Sequence, residues 1–175
     1  MIVDARIDTA AIEALVRALS PRDQRMVMSR ALNHEGAKLR TAEKRSLARI
    51  TGLGAGRIAK GLKSKRATVS RLSFELVDRD SYTTLKDFKP KQTAEGVIAD
   101  PWGRSQLFES AFIVPRYGDV YRREGPKRGP IQPIFGPAPP IEMTRPGSEP
   151  VKLLDVHADM VAGRMLHEIL FAFGR

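Results

Sequence analysis

The sequence contains no cysteine, and this absence excludes several kinds of site. Without a thiol, the chain forms no disulfide, no thiolate metal site and no cysteine nucleophile. It also lacks an apolar run of the roughly 18 residues that would cross a bilayer. The alternating polar and apolar residues near its start do not resemble a signal peptide. We therefore expect the 175 residues to form one domain, residues 1–175, that does not span a membrane.

Recognisable catalytic and metal-binding patterns are missing as well. The three histidines are His34, His157 and His167. The last two would lie about 15 Å apart along a helix, which is too far for one metal ion. Neither an HExxH motif nor a nucleophile motif occurs. We expect no catalytic residue, no metal site, no cofactor and no enzymatic activity.

What the sequence does contain is positive charge concentrated in one segment. Residues 36–66 hold ten basic residues and a single acid, Glu43, in a chain whose formal net charge is +10. Such concentration indicates a polyanionic partner, either nucleic acid or the acidic face of another protein. The alternative is a solvated basic helix face kept for solubility, although charge of that kind is usually dispersed and mixed in sign.

Two sets of basic residues are candidates for contact with a polyanion or an acidic partner. The second, smaller set comprises Arg122, Arg123, Lys127 and Arg128, and its alternative interpretation is solvated charge at a hairpin tip. The first set lies in the basic segment and comprises Lys38, Arg45, Arg49, Lys60, Lys63, Lys65 and Arg66.

The first half of the chain is patterned as helices. Ser20 and Pro21 form a strong helix start, and apolar residues at spacings of three and four predict a helix to about Ile50. Its interior Gly36 marks either a close packing contact or a break. A glycine-rich stretch then precedes a short helix at about 55–62. A further amphipathic helix is predicted over residues 9–19.

From Arg66 onward the apolar period changes to two, which predicts strands. The last predicted strand would pair back on the one before it across Tyr117-Gly118-Asp119. Helices followed by an antiparallel meander indicate an α+β fold. The predicted strands cover residues 72–76, Tyr82–Phe88, Thr93–Ala99, Ala111–Arg116 and Val120–Arg123.

Residues 126–150 hold eight of the twelve prolines and are predicted to form an extended arm or a long ordered loop. The arm either lies on a neighbouring subunit or folds back on its own sheet. Its candidate interface residues are Ile131, Ile134, Phe135 and Ile141.

Glu149-Pro150 then begins a C-terminal helix that we expect to pack on the small antiparallel sheet. The apolar stripe predicted to face inward comprises Leu154, Ala158, Val161, Met165, Ile169 and Ala172.

An ordered series of short motifs over about residues 28–140 resembles the minor tail protein Z family of tailed phages and prophages, also called tail completion proteins. Each motif is short, and their order and spacing carry the resemblance. The motifs are Ala31-Leu32-Asn33, Thr51-Gly52-Leu53, Lys65-Arg66-Ala67-Thr68, Leu85-Lys86-Asp87-Phe88, Gln92-Thr93, Gly96-Val97, Trp102-Gly103-Arg104, Ala111-Phe112-Ile113, Val120-Tyr121-Arg122-Arg123, Pro130-Ile131 and Phe135-Gly136-Pro137.

The resemblance implies a structural virion protein at the head-proximal end of the tail, assembled in the host cytoplasm. Such proteins form a homo-oligomeric ring around the DNA channel, for which a hexamer is one stoichiometry. The implied partners are tail terminator, tail tube or neck and connector proteins, and genomic DNA. The alternatives are a free-standing, non-enzymatic DNA-binding protein that uses the basic helix pair, and a basic protein that docks only on acidic protein surfaces.

Overall fold

The computed structural model describes residue 14 and residues 16–79 and 82–173, which fall into two compact units. The helical unit consists of the residues up to Leu39, Ser64–Glu75 and the residues from Asp155 onward. The sheet unit consists of Arg40–Lys63 and Leu76–Leu154. The prediction of one domain over residues 1–175 stays a prediction.

Along the chain, a series of short strands lies between an N-terminal and a C-terminal helix. This order confirms the predicted α+β fold with an N-terminal and a C-terminal helix. The helices are α1 (Pro21–Thr51), α2 (Ala55–Gly61), α3 (Pro139–Thr144) and α4 (Glu149–Phe173), with short 3-10 helices at Leu85–Phe88 and Pro101–Gly103. The strands are β1 (Leu62–Lys65), β2 (Glu75–Asp78), β3 (Lys91–Gln92), β4 (Gly96–Ala99), β5 (Gln106–Glu109), β6 (Ala111–Val114), β7 (Asp119–Arg123) and β8 (Ile131–Pro133).

Helix α1 begins where the sequence predicts. The Ser20 hydroxyl accepts a hydrogen bond from the Asp23 backbone N–H at 3.2 Å and donates to the Asp23 carboxylate at 2.6 Å. Pro21 occupies the first helical position, where a missing N–H costs nothing. Most of the helix predicted over residues 9–19 lies outside the described residues, of which Ala14 and residues 16–18 are helical.

In the helical unit, the segment Ser64–Glu75 is bound along α1. Asn33 donates its side-chain amide to the Ala67 carbonyl and accepts from the Ala67 N–H, both at 2.9 Å. Arg25 donates to the Val69 carbonyl at 2.6 Å. These bonds connect the segment to a helix. Residues 72–74 do not belong to a strand, so the strand predicted over residues 72–76 is wrong for its first part, and β2 begins at Glu75.

The described strands form three small sheets with strand orders β1-β2, β3-β4-β5 and β6-β7-β8, and the last two sheets lie within the sheet unit. The predicted hairpin is confirmed, because β6 and β7 pair antiparallel with Ile113 opposite Val120. The core of this unit joins Leu47 from α1 to Ile58 from α2 and to Val97 and Val120 from the strands. Burial of these side chains supplies the main stabilisation of the unit.

The strand predicted over Tyr82–Phe88 is wrong. Residues Leu85–Phe88 form a 3-10 helix, followed by Lys89 in the left-handed conformation at φ 51°. Leu85 and Phe88 are both buried in the core. Their spacing of three residues puts them on one side of a three-residue turn, whereas in a strand they would face opposite sides.

Part of the proline-rich segment, which was predicted as an extended arm or a long ordered loop, folds back on a sheet of its own unit. Its contact with a neighbouring subunit stays a prediction. Ile131–Pro133 form β8, which pairs antiparallel with β7, and Gln132 lies opposite Arg122. Pro139 then begins α3, whose first position tolerates proline. β8 is an edge strand, the place where a sheet accepts prolines.

The buried face of α4 differs from the predicted stripe. Ile169 is buried, and Val161 and Met165 are half-buried as predicted, but Leu154 and Ala158 are exposed. The ring of His157 approaches the carboxylate of Glu35 on α1, with 3.1 Å between Nδ1 and Oε2. This contact turns the His157 side of α4 toward α1, and the side chain of Ala172 lies outside the described residues.

Candidate polyanion-binding surface and the Trp102 cleft

Arg45 and Arg49 lie one turn apart on α1, so their side chains leave the same side of the helix. Arg45 is exposed and has no ion-pair partner in the described part of the chain. Arg49 donates to the carboxylate of Glu149, which also accepts from the Ser46 hydroxyl at 2.9 Å. These two hydrogen bonds lower the pKa of Glu149. The Arg49 side chain nevertheless remains 68% exposed and keeps N–H groups for a ligand.

Glu43, the one acid of the basic segment, is buried beside these residues. Burial and the negative charge of Glu149 raise the pKa of Glu43 to about 7. Its Oε2 atom has no hydrogen-bond partner within the residues described. A carboxyl group with this pKa is only partly ionised at neutral pH. The segment is therefore more positive than a count of its formal charges indicates.

Lys60 and Lys63 also belong to the sheet unit and are exposed. Lys60 lies in the last turn of α2, where a cation interacts favourably with the negative end of the helix dipole. Lys63 follows on β1. Neither ammonium has a carboxylate partner among the residues that the structure describes, so both are open to an external anion.

The remaining three residues of the first predicted set, Lys38, Lys65 and Arg66, lie in the helical unit. Lys38 donates to Glu35 at 2.9 Å, and Lys65 donates to Glu75 at 2.9 Å. The hydrogen bond from Lys65 lowers the pKa of Glu75. Arg66 is exposed and lacks an acidic partner across the described ranges. The predicted set is thus divided between two units, and its members differ in whether an acid of this chain already neutralises them.

Arg122 and Arg123 of the second predicted set lie on β7. Arg122 is exposed and has no carboxylate partner in residues 16–79 or 82–173. The guanidinium of Arg123 lies over the ring of Phe112, 5.2 Å from its centroid. This cation–π contact holds Arg123 against the sheet, whereas Arg122 is free to meet a partner.

The predicted interface residues of the proline-rich segment differ in exposure. Ile131, Phe135 and Ile141 are exposed, whereas Ile134 packs against the core of the sheet unit and so serves its own chain. Phe135 forms a tilted ring pair with Tyr82, which is 65% exposed, at a centroid distance of 6.0 Å. Two adjacent aromatic side chains thus face solvent.

A cleft in the sheet unit contains residues to which sequence reasoning assigned no role. It has a volume of about 450 Å³ and is lined by Arg49, Ile50, Trp102, Arg104 and Gln106. Trp102 and Arg104 belong to a motif of the resemblance, but their position in one cleft with Arg49 depends on tertiary contacts. The cleft combines two guanidinium groups, an indole ring and a side-chain amide.

Trp102 is held in an unusual backbone conformation at φ 55° and ψ 24°, and Gly103 follows at φ 66°. A bulky residue in the left-handed region is an outlier. The turn packs against the end of α1, since a Cβ on Gly52 would lie 2.6 Å from the Gly103 backbone nitrogen. The indole N–H donates to Glu142 at 3.4 Å, and the side chain remains 39% exposed.

Comparison of the chain with protein-family models, with curated proteins and with solved structures gives no match. No helix within the described ranges has both the length and the apolar character of a membrane span. In those same ranges, no three His, Asp or Glu side chains are grouped so that they could hold a metal ion.

Proposed function

We propose that the protein is a structural virion protein of a tailed phage or prophage. In this proposal it is a tail completion or neck protein that forms a homo-oligomeric ring at the head-proximal end of the tail. The ring joins the tail to the neck around the DNA channel and contacts tail terminator, tail tube or connector proteins. The ordered motif series carries the resemblance on which this proposal rests.

Contacts between separate motifs of the series support the proposal. Asn33 of the first motif forms reciprocal hydrogen bonds with Ala67 of the third. Leu85 of the fourth motif belongs to the same buried cluster as Val97 and Val120 of later motifs. Motifs far apart along the chain are therefore joined through packing, as expected if their spacing reflects one fold.

The observation that carries the ring is the exposure of four large apolar residues of the sheet unit, of which Tyr82 and Phe135 are in ring contact. The exposed fractions of Tyr82, Ile131, Phe135 and Ile141 are 65%, 40%, 52% and 49%. Apolar patches on a monomer commonly mark a contact surface. β8, which supplies Ile131, is also a sheet edge. A neighbouring subunit that covered these side chains would remove apolar surface from water and protect the edge.

A specific observation also favours a second function, that of a free-standing DNA-binding protein. Arg45, Lys60, Lys63, Arg66 and Arg122 are exposed and lack acidic partners among the described residues. Unpaired cations release counterions when they meet phosphates, which gives affinity without reading base sequence. In the ring proposal, the same cations face the DNA of the channel or an acidic partner protein.

Cryo-electron microscopy of particles that contain this chain tests the proposal. We expect its density to form a closed ring at the joint between tail and neck, with Phe135 and Ile141 at the subunit contact. A double variant Phe135→Ser and Ile141→Ser should abolish incorporation into particles. The matched control Leu107→Ser alters another exposed apolar residue and should be incorporated normally. Absence of the wild-type chain from purified virions would contradict the proposal and favour the DNA-binding function.

A further inference from the structure

The Trp102 cleft has the composition of a ligand site rather than of a packing defect. Its walls come from the last turn of α1, from the turn at Trp102 and from the start of β5. Its volume of about 450 Å³ lies within the range of small-molecule sites, about 300–1,000 Å³. Arg104 and Gln106 are both exposed. The cleft is therefore accessible and large enough for one nucleotide.

Tertiary contacts orient the indole ring of Trp102 within this cleft. Glu142 accepts from the indole N–H and is itself bonded by Arg145 at 2.8 Å, which fixes the acceptor. The backbone turn is pressed against Gly52 at the end of α1. Strained backbone that persists in a folded protein is concentrated at functional sites. Core packing does not account for this strain, because Trp102 is not among the buried core residues.

The two guanidinium groups are suited to one phosphate or two adjacent phosphates. Arg49 and Arg104 line the same cleft, and a guanidinium binds phosphate oxygens through paired N–H groups. The nearby acids Glu149 and Glu142 are already bonded to Arg49 and Arg145. Arg104 has no acidic partner in the described part of the chain, so the anion-binding capacity of the cleft depends most on this residue.

We propose that the Trp102 cleft binds one nucleotide of a single-stranded nucleic acid. The base stacks on the indole face, Arg49 and Arg104 hold the flanking phosphates, and the Gln106 amide meets the base edge. Aromatic stacking together with cations is the general mode of single-strand binding. A paired base inside a duplex cannot reach the ring. This site is independent of the virion proposal, since absence of the chain from particles would leave it unaffected.

Trp102 is the only tryptophan of the chain, so its fluorescence reports on this cleft alone. The full-length protein is titrated at low salt with an oligothymidylate of about 20 nucleotides, with a duplex of equal length and with polyglutamate of equal charge. We expect the oligothymidylate to quench the fluorescence and to bind more tightly than the other two probes.

Variants separate the cleft from the rest of the basic surface, with binding measured by anisotropy of a labelled oligothymidylate. Trp102→Leu should weaken binding roughly 5- to 100-fold through lost stacking, and Trp102→Phe less. Arg104→Ala should weaken binding and reduce the salt slope by about 0.7. Arg30→Ala changes an exposed arginine outside the cleft and outside both predicted basic sets, so it is the matched control and should bind like wild type. Circular dichroism checks that each variant is folded.

Five outcomes would overturn the inference. The first four are no binding of oligothymidylate, binding without quenching, equal losses for Arg104→Ala and Arg30→Ala, and equal binding and quenching by the duplex. If polyglutamate binds and quenches as well as the oligothymidylate, the cleft instead recognises an acidic protein partner, and the nucleic-acid assignment is wrong.

Discussion

The ring of Phe74 lies directly over Gly36, so close that a Cβ on residue 36 would be 2.4 Å from the ring Cγ. Gly36 is in the interior of α1, where glycine costs about 1 kcal/mol relative to alanine. The sequence left open whether this glycine marks a packing contact or a break. α1 continues through it without interruption, so the close contact is the reason for the glycine.

Gly36→Ala is therefore expected to destabilise the protein although alanine favours helix. The methyl group would displace the Phe74 ring, and overpacking of this kind costs about 1–3 kcal/mol, which offsets the propensity gain. The measurement is the free energy of unfolding by urea. Gly163→Ala on α4 is the matched control, because a Cβ there meets nothing within 4 Å. Gly163→Ala should stabilise the protein by about 0.5–1 kcal/mol. Equal stabilisation by Gly36→Ala and Gly163→Ala would contradict the close contact between Gly36 and Phe74.

Glu35 should contribute stability that is lost in acid. Burial acts to raise its pKa, but hydrogen bonds from Lys38 and His157 outweigh this effect and lower the pKa below 4.5. A lowered folded-state pKa gives stability above pH 4.5 that disappears as the pH falls through the folded value. Glu35→Gln should cost about 1–3 kcal/mol at neutral pH, since it weakens two charge-assisted hydrogen bonds.

Urea unfolding at neutral and acidic pH measures the effect of Glu35→Gln. The stability difference from wild type should shrink as the pH falls below 4.5. Glu95→Gln, a change at an exposed acid, is the control and should alter stability little at either pH. A constant difference across this pH range would mean that the charge of Glu35 is not the source of its effect.

Glu43 should have the opposite pH dependence. Its pKa in the folded protein is raised to about 7, against 4.5 for a solvated carboxyl, so the folded state binds the proton more tightly. Stability should therefore fall as the pH rises from 4.5 through about 7. Glu43→Gln removes this loss and should raise the melting temperature in mildly alkaline buffer more than in mildly acidic buffer. Glu109→Gln, at an exposed strand position, is the control and should show no such trend. If the melting temperatures of wild type and Glu43→Gln changed in parallel with pH, the raised pKa of Glu43 would be refuted.

The unpaired lysines of the sheet unit should determine part of the salt dependence of duplex DNA binding. Lys60→Ala with Lys63→Ala should reduce the slope of log K against log salt by up to about 1.8, if each lysine neutralises one phosphate. Filter binding over a salt series measures this slope. The charge-matched double variant Lys86→Ala with Lys91→Ala, also at exposed lysines, should leave it unchanged. Equal slopes for both double variants would mean that Lys60 and Lys63 do not contact the DNA phosphates.

Much of the fold was predictable because its signals are local. Ser20, Pro21 and Asp23 start α1 through bonds within one turn, and the alternating residues of β6 and β7 pair across a short loop. The prediction failed at Tyr82–Phe88, where the apolar residues Leu85 and Phe88 are spaced by three, as one side of a 3-10 helix requires. There, the burial of Leu85 and Phe88 in the core decided the conformation.

The candidate site was predictable only in part. The basic segment was evident from its charge, but whether a given cation is free or bonded depends on acids far along the chain. Arg49 meets Glu149, 100 residues away, while Lys60 meets no described acid. The cleft between Arg49 and Arg104 likewise joins residues that no sequence period connects.

Residue order alone was sufficient for the start of α1, the hairpin of β6 and β7, the extent of α4 and the concentration of positive charge, because each depends on neighbours within a turn or a hairpin. Long-range contacts decided the return of β8 onto β7, the face of α4 that turns inward at His157, and the position of Trp102 beside Arg49. These features depend on which surfaces approach closely enough to exclude water and form bonds, and that is a property of the packed chain.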